Sequence, residues 1–131
     1  MLTDPITDYL NRIRNALQAE HVEVEIPASR LKREMSRILK EQGYITDFSV
    51  EPGRVGDVIK VQLRYTERRD PVISGMQRVS RPGRRRYVGK DDIPRVLGGM
   101  GTTIVSTSTG VMTGHEAKQR GVGGEVVAEV W

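Results

Sequence analysis

In "PITDYLNRIRNALQAE" the apolar residues Ile6, Leu10, Ile13 and Leu17 recur every three or four positions, the spacing of a helix with one buried face. Thr3 or Asp4 is placed to cap it, and Pro5 suits its first turn, where a missing N–H costs nothing. Asn11, Arg12, Arg14 and Asn15 lie off the stripe and are open to a partner. The period then changes to two in "HVEVEIP", where Val22, Val24 and Ile26 alternate with charge, so a half-buried strand is predicted that ends at Pro27. "SRLKREMSRILKEQGY" returns to the helical period through Leu31, Met35, Ile38 and Leu39, with Ser29 as N-cap and Gly43 as the left-handed residue past its end. "YITDFSV" and "VIKVQLRY" read as strands joined by "EPGRVGD", a hairpin connection. The order up to about Tyr65 is thus α, β, α, β, β.

The polar stretch "TERRDP" interrupts this pattern, and the boundary falls there: residues 1–66 form an N-terminal α/β subdomain and residues 67–131 a β-rich C-terminal one. Beyond it, "VISGMQRVS" and "RRRYVG" are short strands around the turn "RPG", while "KDDIPRVLGG" predicts one or two helical turns ended by paired glycines. "TTIVST" is a strand, and "TGHE" has capping-box form, with Thr113 at the cap and Glu116 three residues on. A short helix follows, closed by Gly121, and "GEVVAEVW" ends the chain as a strand whose last residue, Trp131, packs at its end. The fold class is therefore α+β, in two small subdomains, the second mainly β with short helices.

Aromatic residues are only 5% of the chain, so the core is mostly aliphatic. The absence of cysteine excludes disulfides, thiolate catalysis and cysteine-held metals, and it fits a reducing cytoplasm. No apolar run approaches the roughly 18 residues of a membrane span, and "MLTDPITDYL" is acidic where a signal peptide is basic, so no membrane partner is expected. The net charge of +4 is unevenly distributed: "RVSRPGRRRYVGKDDIPR" has seven basic residues against two acidic ones, and the rest of the chain is close to neutral. Concentrated positive charge favours a polyanion, because each neutralised phosphate releases counterions. Arg81, Arg84, Arg85 and Arg86 are the candidate phosphate contacts; the alternative is a solvated loop.

"IVSTSTGVM" sets four hydroxyls in a row, Ser106, Thr107, Ser108 and Thr109, after an apolar pair. Alternating side chains would leave one face of an interior strand without apolar partners, so this is not read as an ordinary interior strand. Two readings remain. The hydroxyls satisfy nearby backbone in a turn, or they form a recognition loop reaching phosphates, ribose hydroxyls and base edges in the shallow minor groove of RNA. Gly110 would then admit close backbone approach. Catalytic and cofactor signals are weak: the two histidines, His21 and His115, lack partners at useful spacing, the serines are not framed as GxSxG, and no glycine cluster has phosphate-loop spacing. No enzyme, metal or cofactor is expected. Two other classes stay open, a module whose basic stretch meets an acidic protein and a small transferase holding a phosphate-bearing cofactor.

The segments "DPITDYLNRIRNA", "PASRLKREMSRILKEQGYI", "QRVSRPGRRRY", "GMGTTIVSTSTGVMT" and "GVGGEVVAEVW", in that order, resemble the family of the eighth protein of the small ribosomal subunit, bacterial type. The resemblance covers essentially the whole chain and is most specific at "RVSRPG", "VSTS-GVMT" and "G-GGE". It implies two α+β subdomains packed together and a structural, cytoplasmic protein of the ribosome. That protein would be a primary binder of small-subunit ribosomal RNA in the central domain, or platform, stabilising its fold and assembly beside neighbouring ribosomal proteins. It further implies repression of its own operon messenger RNA by mimicry of the ribosomal site. By motif, the RNA contacts fall on Ser106, Thr107, Ser108 and Gly110 of the "STS" loop, with Tyr87, Gly124 and Glu125 beside them. From the first subdomain, the resemblance adds Thr3, Asp4, Pro5, Arg12, Arg14, Asn15, Ser29 and Lys32. The chain departs from the family at Thr109, where many members have lysine, and at His115, where many have a basic residue.

Overall fold

In the computed structural model, which describes residues 4–131, the first apolar stripe is helix α1 (Pro5–Gln18), burying Ile6, Leu10, Ile13 and Leu17 together with Tyr9 and Ala16. Thr3, one of its two candidate caps, lies outside the described residues. Strand β1 (Glu23–Pro27) begins one residue later than the alternation predicts, leaving Val22 76% exposed, with its carbonyl accepting from the Leu63 N–H. Helix α2 (Arg30–Glu41) starts where Ser29 accepts a hydrogen bond from the Lys32 N–H, and Gly43 follows with φ 81. Strands β2 (Ile45–Gly53) and β3 (Gly56–Leu63) form the hairpin, and β3 lies between β1 and β2 in an antiparallel sheet. Ile26 and Ile59 pair across that sheet, and Val61 pairs with Val24 and Phe48. Full burial of side chains such as Ile13, Ile26, Met35, Leu39 and Ile59 contributes about 1.5–3 kcal/mol each.

The buried face of α2 departs from the predicted stripe. Leu31 is only half-buried, whereas Lys32 and Ser36 are buried with Met35, Ile38 and Leu39. Both polar residues are satisfied. The Ser36 hydroxyl donates to the Lys32 carbonyl at 2.9 Å and meets the Tyr9 hydroxyl at 2.7 Å, while Lys32 Nζ donates to the Pro27 carbonyl at 3.0 Å. Because Ser36 uses its proton on that carbonyl, Tyr9 is the donor between them.

The chain divides into two compact units, Ile6–Ser74 and a second that takes Asp4 and Pro5 with Gly75–Trp131. The stretch after β3 stays with the first unit through a bridge between Tyr65 and Pro71 and a turn in which Thr66 and Asp70 exchange contacts. In the second unit, β4 (Met76–Arg78), β5 (Tyr87–Val88), β6 (Thr102–Thr107), β7 (Gly110–Thr113) and β8 (Gly124–Val130) form one antiparallel sheet. Strand β8 pairs with β6 along one side and with β4 and β5 in succession along the other; β7 is the outer neighbour of β6. Helix α3 (Gly114–Arg120) has the predicted cap, Thr113 accepting from the Glu116 N–H at 3.1 Å, and ends at Gly121. Trp131 pairs its backbone with Gly75 in both directions, and its ring occupies the space a Cβ on Gly75 would need.

Two segments of this unit depart from regular geometry. The helical turns expected over "KDDIPRVLGG" shrink to a single 3-10 turn at Leu97–Gly99. Pro94 disfavours helical geometry at Ile93, and its carbonyl instead accepts from the Thr103 hydroxyl at 2.8 Å. The last strand is a strand as expected but does not alternate strictly between two faces, because Val126, Val127 and Ala128 are all buried. Ile104 pairs with Ala128 but Val105 pairs with Val126, so Val127 is an extra residue, a β-bulge.

Candidate nucleic-acid interface

The four hydroxyls divide between a strand and its turn. Ser106 and Thr107 end β6, which is an interior strand between β8 and β7, and Ser108 and Thr109 form the two-residue turn into β7. The sequence expectation that this run avoids an interior strand is therefore wrong for its first half. What makes it tolerable is that the sheet rim is open there: Ser106 and Thr107 are half-buried, and Ser108, Thr109 and Gly110 are exposed. Thr107 is occupied locally, donating to the Gly110 carbonyl at 2.7 Å and accepting from the Thr109 N–H at 3.2 Å, which braces the turn. Among the described residues, the hydroxyls of Ser106 and Ser108 have no hydrogen-bond partner. Thr107 thus braces the turn, as the first reading of the sequence expects, while the hydroxyls of Ser106 and Ser108 stand unpaired at the rim.

Register assembles the rest. Tyr87 pairs with Glu125, Glu125 with Ser106, and Ser106 with Val111, so these four side chains form a row across β5, β8, β6 and β7 on one face. Tyr87 is 70% exposed, so its ring is open to solvent at the end of this row. Arg85 Nη1 donates to Glu125 Oε2 at 3.2 Å; an ion pair this exposed adds little stability, and its effect is to orient both groups beside the row. Gly124 permits the close passage of β8 past β6, since a Cβ there would lie 2.2 Å from the Ser106 carbonyl oxygen. Gly123 is similarly crowded by the Val88 carbonyl. The expectation for Gly124 rested on direct RNA contact; the structure shows a packing role for it at the same place.

The arginines project from a tight hairpin. Arg81 and Arg84 exchange backbone hydrogen bonds of 3.2 and 2.8 Å around Pro82 and Gly83. Arg81, Arg84, Arg85 and Arg86 are all exposed. The buried Ser80 hydroxyl, which the sequence reading missed, pins the strand end by accepting from the Arg86 N–H at 2.8 Å. Only its place in "RVS" could have flagged it. Arg78, counted with this basic run in the sequence, does not belong to the exposed patch: it is 8% exposed, and its Nε donates to Asp4 Oδ2 at 3.0 Å. His115, in the first turn of α3, is exposed.

The first-subdomain candidates are less uniform. Asp4 is held by Arg78 and groups with the second unit, as does the exposed Pro5. Arg12 Nε donates to Asp8 at 2.9 Å, and Arg14 Nη1 donates to Asn11 at 2.6 Å, so Asn11 and both arginines already have partners. Asn15 is exposed on the same helix. Ser29 is exposed while capping α2. Lys32 is the weakest of these candidates, 5% exposed with its ammonium on the Pro27 carbonyl. Burial holds its pKa below the ordinary lysine value, with Asp8 pulling the other way and Arg12 adding to the lowering.

Free hydroxyls, an exposed ring, a fixed carboxylate and unpaired guanidinium groups on one sheet rim suit a ribose–phosphate polymer, with charge for phosphates and short polar groups for edges and sugars. Among the described residues, no group of three or more His, Asp or Glu side chains is placed to hold a metal ion, and no helix is long and apolar enough to cross a membrane. Comparison with known proteins supplies the family. The family model described as "Ribosomal protein S8" matches residues 4–131, and the chain belongs to that family. It is 55% identical over 131 residues to the small ribosomal subunit protein uS8 of Solibacter usitatus, covering both chains in full. The uS8 protein of Thermodesulfovibrio yellowstonii is 51% identical, again over the full length of both, and that of Lactobacillus acidophilus is 55% identical over all of this chain and 99% of the relative.

Proposed function

We propose that this chain is a structural, non-catalytic constituent of the small ribosomal subunit that binds the subunit's RNA in its central domain and stabilises that fold during assembly. The observation that carries this reading is the row of Tyr87, Glu125 and Ser106, ending beside the free Ser108 hydroxyl and flanked by the exposed arginine hairpin. In it, Ser106 and Ser108 read sugar and base edges in a minor groove, Tyr87 stacks or packs against the backbone, and Glu125 accepts from amino or hydroxyl groups. Arg81, Arg84 and Arg86 supply the salt-dependent affinity. Arg12, Arg14, Asn15 and Ser29 form a secondary contact surface on the first unit, with neighbouring ribosomal proteins as further partners in the cytoplasm. Any RNA presenting the same groove, including the chain's own operon messenger, would be bound by the same row.

The test is a salt series of binding to a central-domain ribosomal RNA fragment and to a scrambled duplex of equal length. Replacing Ser106 and Ser108 by alanine should weaken the fragment by about 1–3 kcal/mol and leave the scrambled duplex unchanged. Equal weakening of both RNAs would remove the loop from the role of reader.

A further inference from the structure

The register of the second sheet points to Arg78 as a positioning residue for the row, acting through the bulge in β8; the inference rests on the RNA reading above for its consequence, though not for its geometry. From Thr102 to Ile104, the partners on β8 step back regularly from Val130 to Ala128. Continued without interruption, that step would set Ser106 opposite Val126 and Glu125 opposite Thr107. Glu125 would then point to the other face, away from Ser106, because a one-residue slip inverts every side chain beyond it. The extra residue Val127 prevents this and brings Glu125, with Arg85 and Tyr87, onto the face of Ser106.

A bulge frees backbone groups that need partners. The Val127 carbonyl accepts from the Val79 N–H at 3.1 Å and from Arg78 Nη1 at 2.7 Å. Arg78 is itself held by Asp4, with side-chain exposures of only 6% and 16%, so the clamp is a buried charge satisfied on two sides. The planar guanidinium fork reaches carboxylate and carbonyl together, which the single head of a lysine does not. Arg78 touches no RNA in this account; it fixes where the bulge sits and therefore which face presents Glu125.

The experiment compares Arg78→Lys, which keeps the charge beside Asp4, with the double variant Arg78→Met and Asp4→Asn, which removes both charges of the pair. Cross-strand backbone NOEs between Ser106 and Glu125 report the register, and binding to the central-domain RNA fragment and to the scrambled duplex reports the consequence. In both variants the NOEs should weaken or split, and affinity for the fragment should fall about tenfold, the size of one lost polar readout contact, with the scrambled duplex unchanged. Intact NOEs in a folded variant overturn the clamp whatever the RNA does. Lost NOEs with full selectivity overturn its positioning role. If the double variant fails to fold, Arg78→Lys decides alone; if the unaltered protein itself does not select the fragment, the RNA reading falls and the clamp stands or falls on the NOEs.

Discussion

Replacing Gly124 by alanine should force β8 away from β6 and cost both stability and selective RNA binding. The added Cβ would lie 2.2 Å from the Ser106 carbonyl oxygen and 3.1 Å from the Thr107 Cα, where ordinary contact begins at 3.4 Å, so about 1.2 Å of movement is required. Both clashing groups are backbone, and no flexible side chain can yield in their place. Parting the strands by that much carries ladder bonds of about 2.9 Å beyond hydrogen-bonding range. One or two such bonds at about 1 kcal/mol each, within the usual 1–3 kcal/mol of overpacking, give about 2 kcal/mol. With an unfolding entropy near 2.1 cal/mol/K per residue, a 131-residue chain should lose about 7 °C of Tm. Thermal unfolding followed by circular dichroism measures this, and titration with the central-domain fragment should show weaker selective binding. A Gly124→Ala protein that melts within about 1 °C of the original and keeps full selectivity would refute the close-approach argument.

Replacing Arg84 and Arg86 by alanine should weaken every RNA tested and lower the slope of log affinity against log salt by roughly 0.7–0.9 per lost phosphate contact; an unchanged slope would make them solvated side chains. Tyr9 is fully buried, and burial raises its pKa well above the ordinary 10.0. Above about pH 10 the unfolded tyrosine therefore ionises while the folded one stays neutral, so stability present below that pH is lost as pH rises. Tyr9→Phe should cost about 1 kcal/mol near pH 8 and show a shallower alkaline loss than the original protein, measured by urea unfolding from about pH 8 to about pH 11. Parallel alkaline curves for the two would remove Tyr9 as the source.

Features encoded locally were legible in the sequence. Ser29 and Thr113 cap their helices because a short hydroxyl before an apolar repeat has few better uses, and Gly43 and Gly121 follow because only a residue tolerant of positive φ continues there. The hydroxyl run and the arginine cluster flagged the rim by composition alone. What the sequence could not give was set by partners far along the chain. Arg78 looks like one more member of a basic run, and only the return of Asp4, 74 residues away, shows it to be buried. Lys32 occupies a position that periodicity assigns to solvent, yet the Pro27 carbonyl and the approach of α1 through Tyr9 and Ser36 enclose it. The bulge at Val127 has no signature in "GEVVAEVW", since three consecutive apolar residues fit a regular strand equally well. For Gly124 the resemblance implies an RNA contact, but the nearest neighbour of a Cβ there is the backbone of Ser106, which no local pattern announces.

The measurement that tests the central claim most directly is residue-level mapping of the RNA contact, by amide and side-chain NMR shifts on adding the central-domain ribosomal RNA fragment to the labelled protein. The account expects the largest changes at Tyr87, Glu125, Ser106, Ser108 and Gly110, with smaller ones at Arg84 and Arg86. Changes confined to the first unit, or spread evenly over the arginines with Ser106 and Ser108 silent, would contradict it.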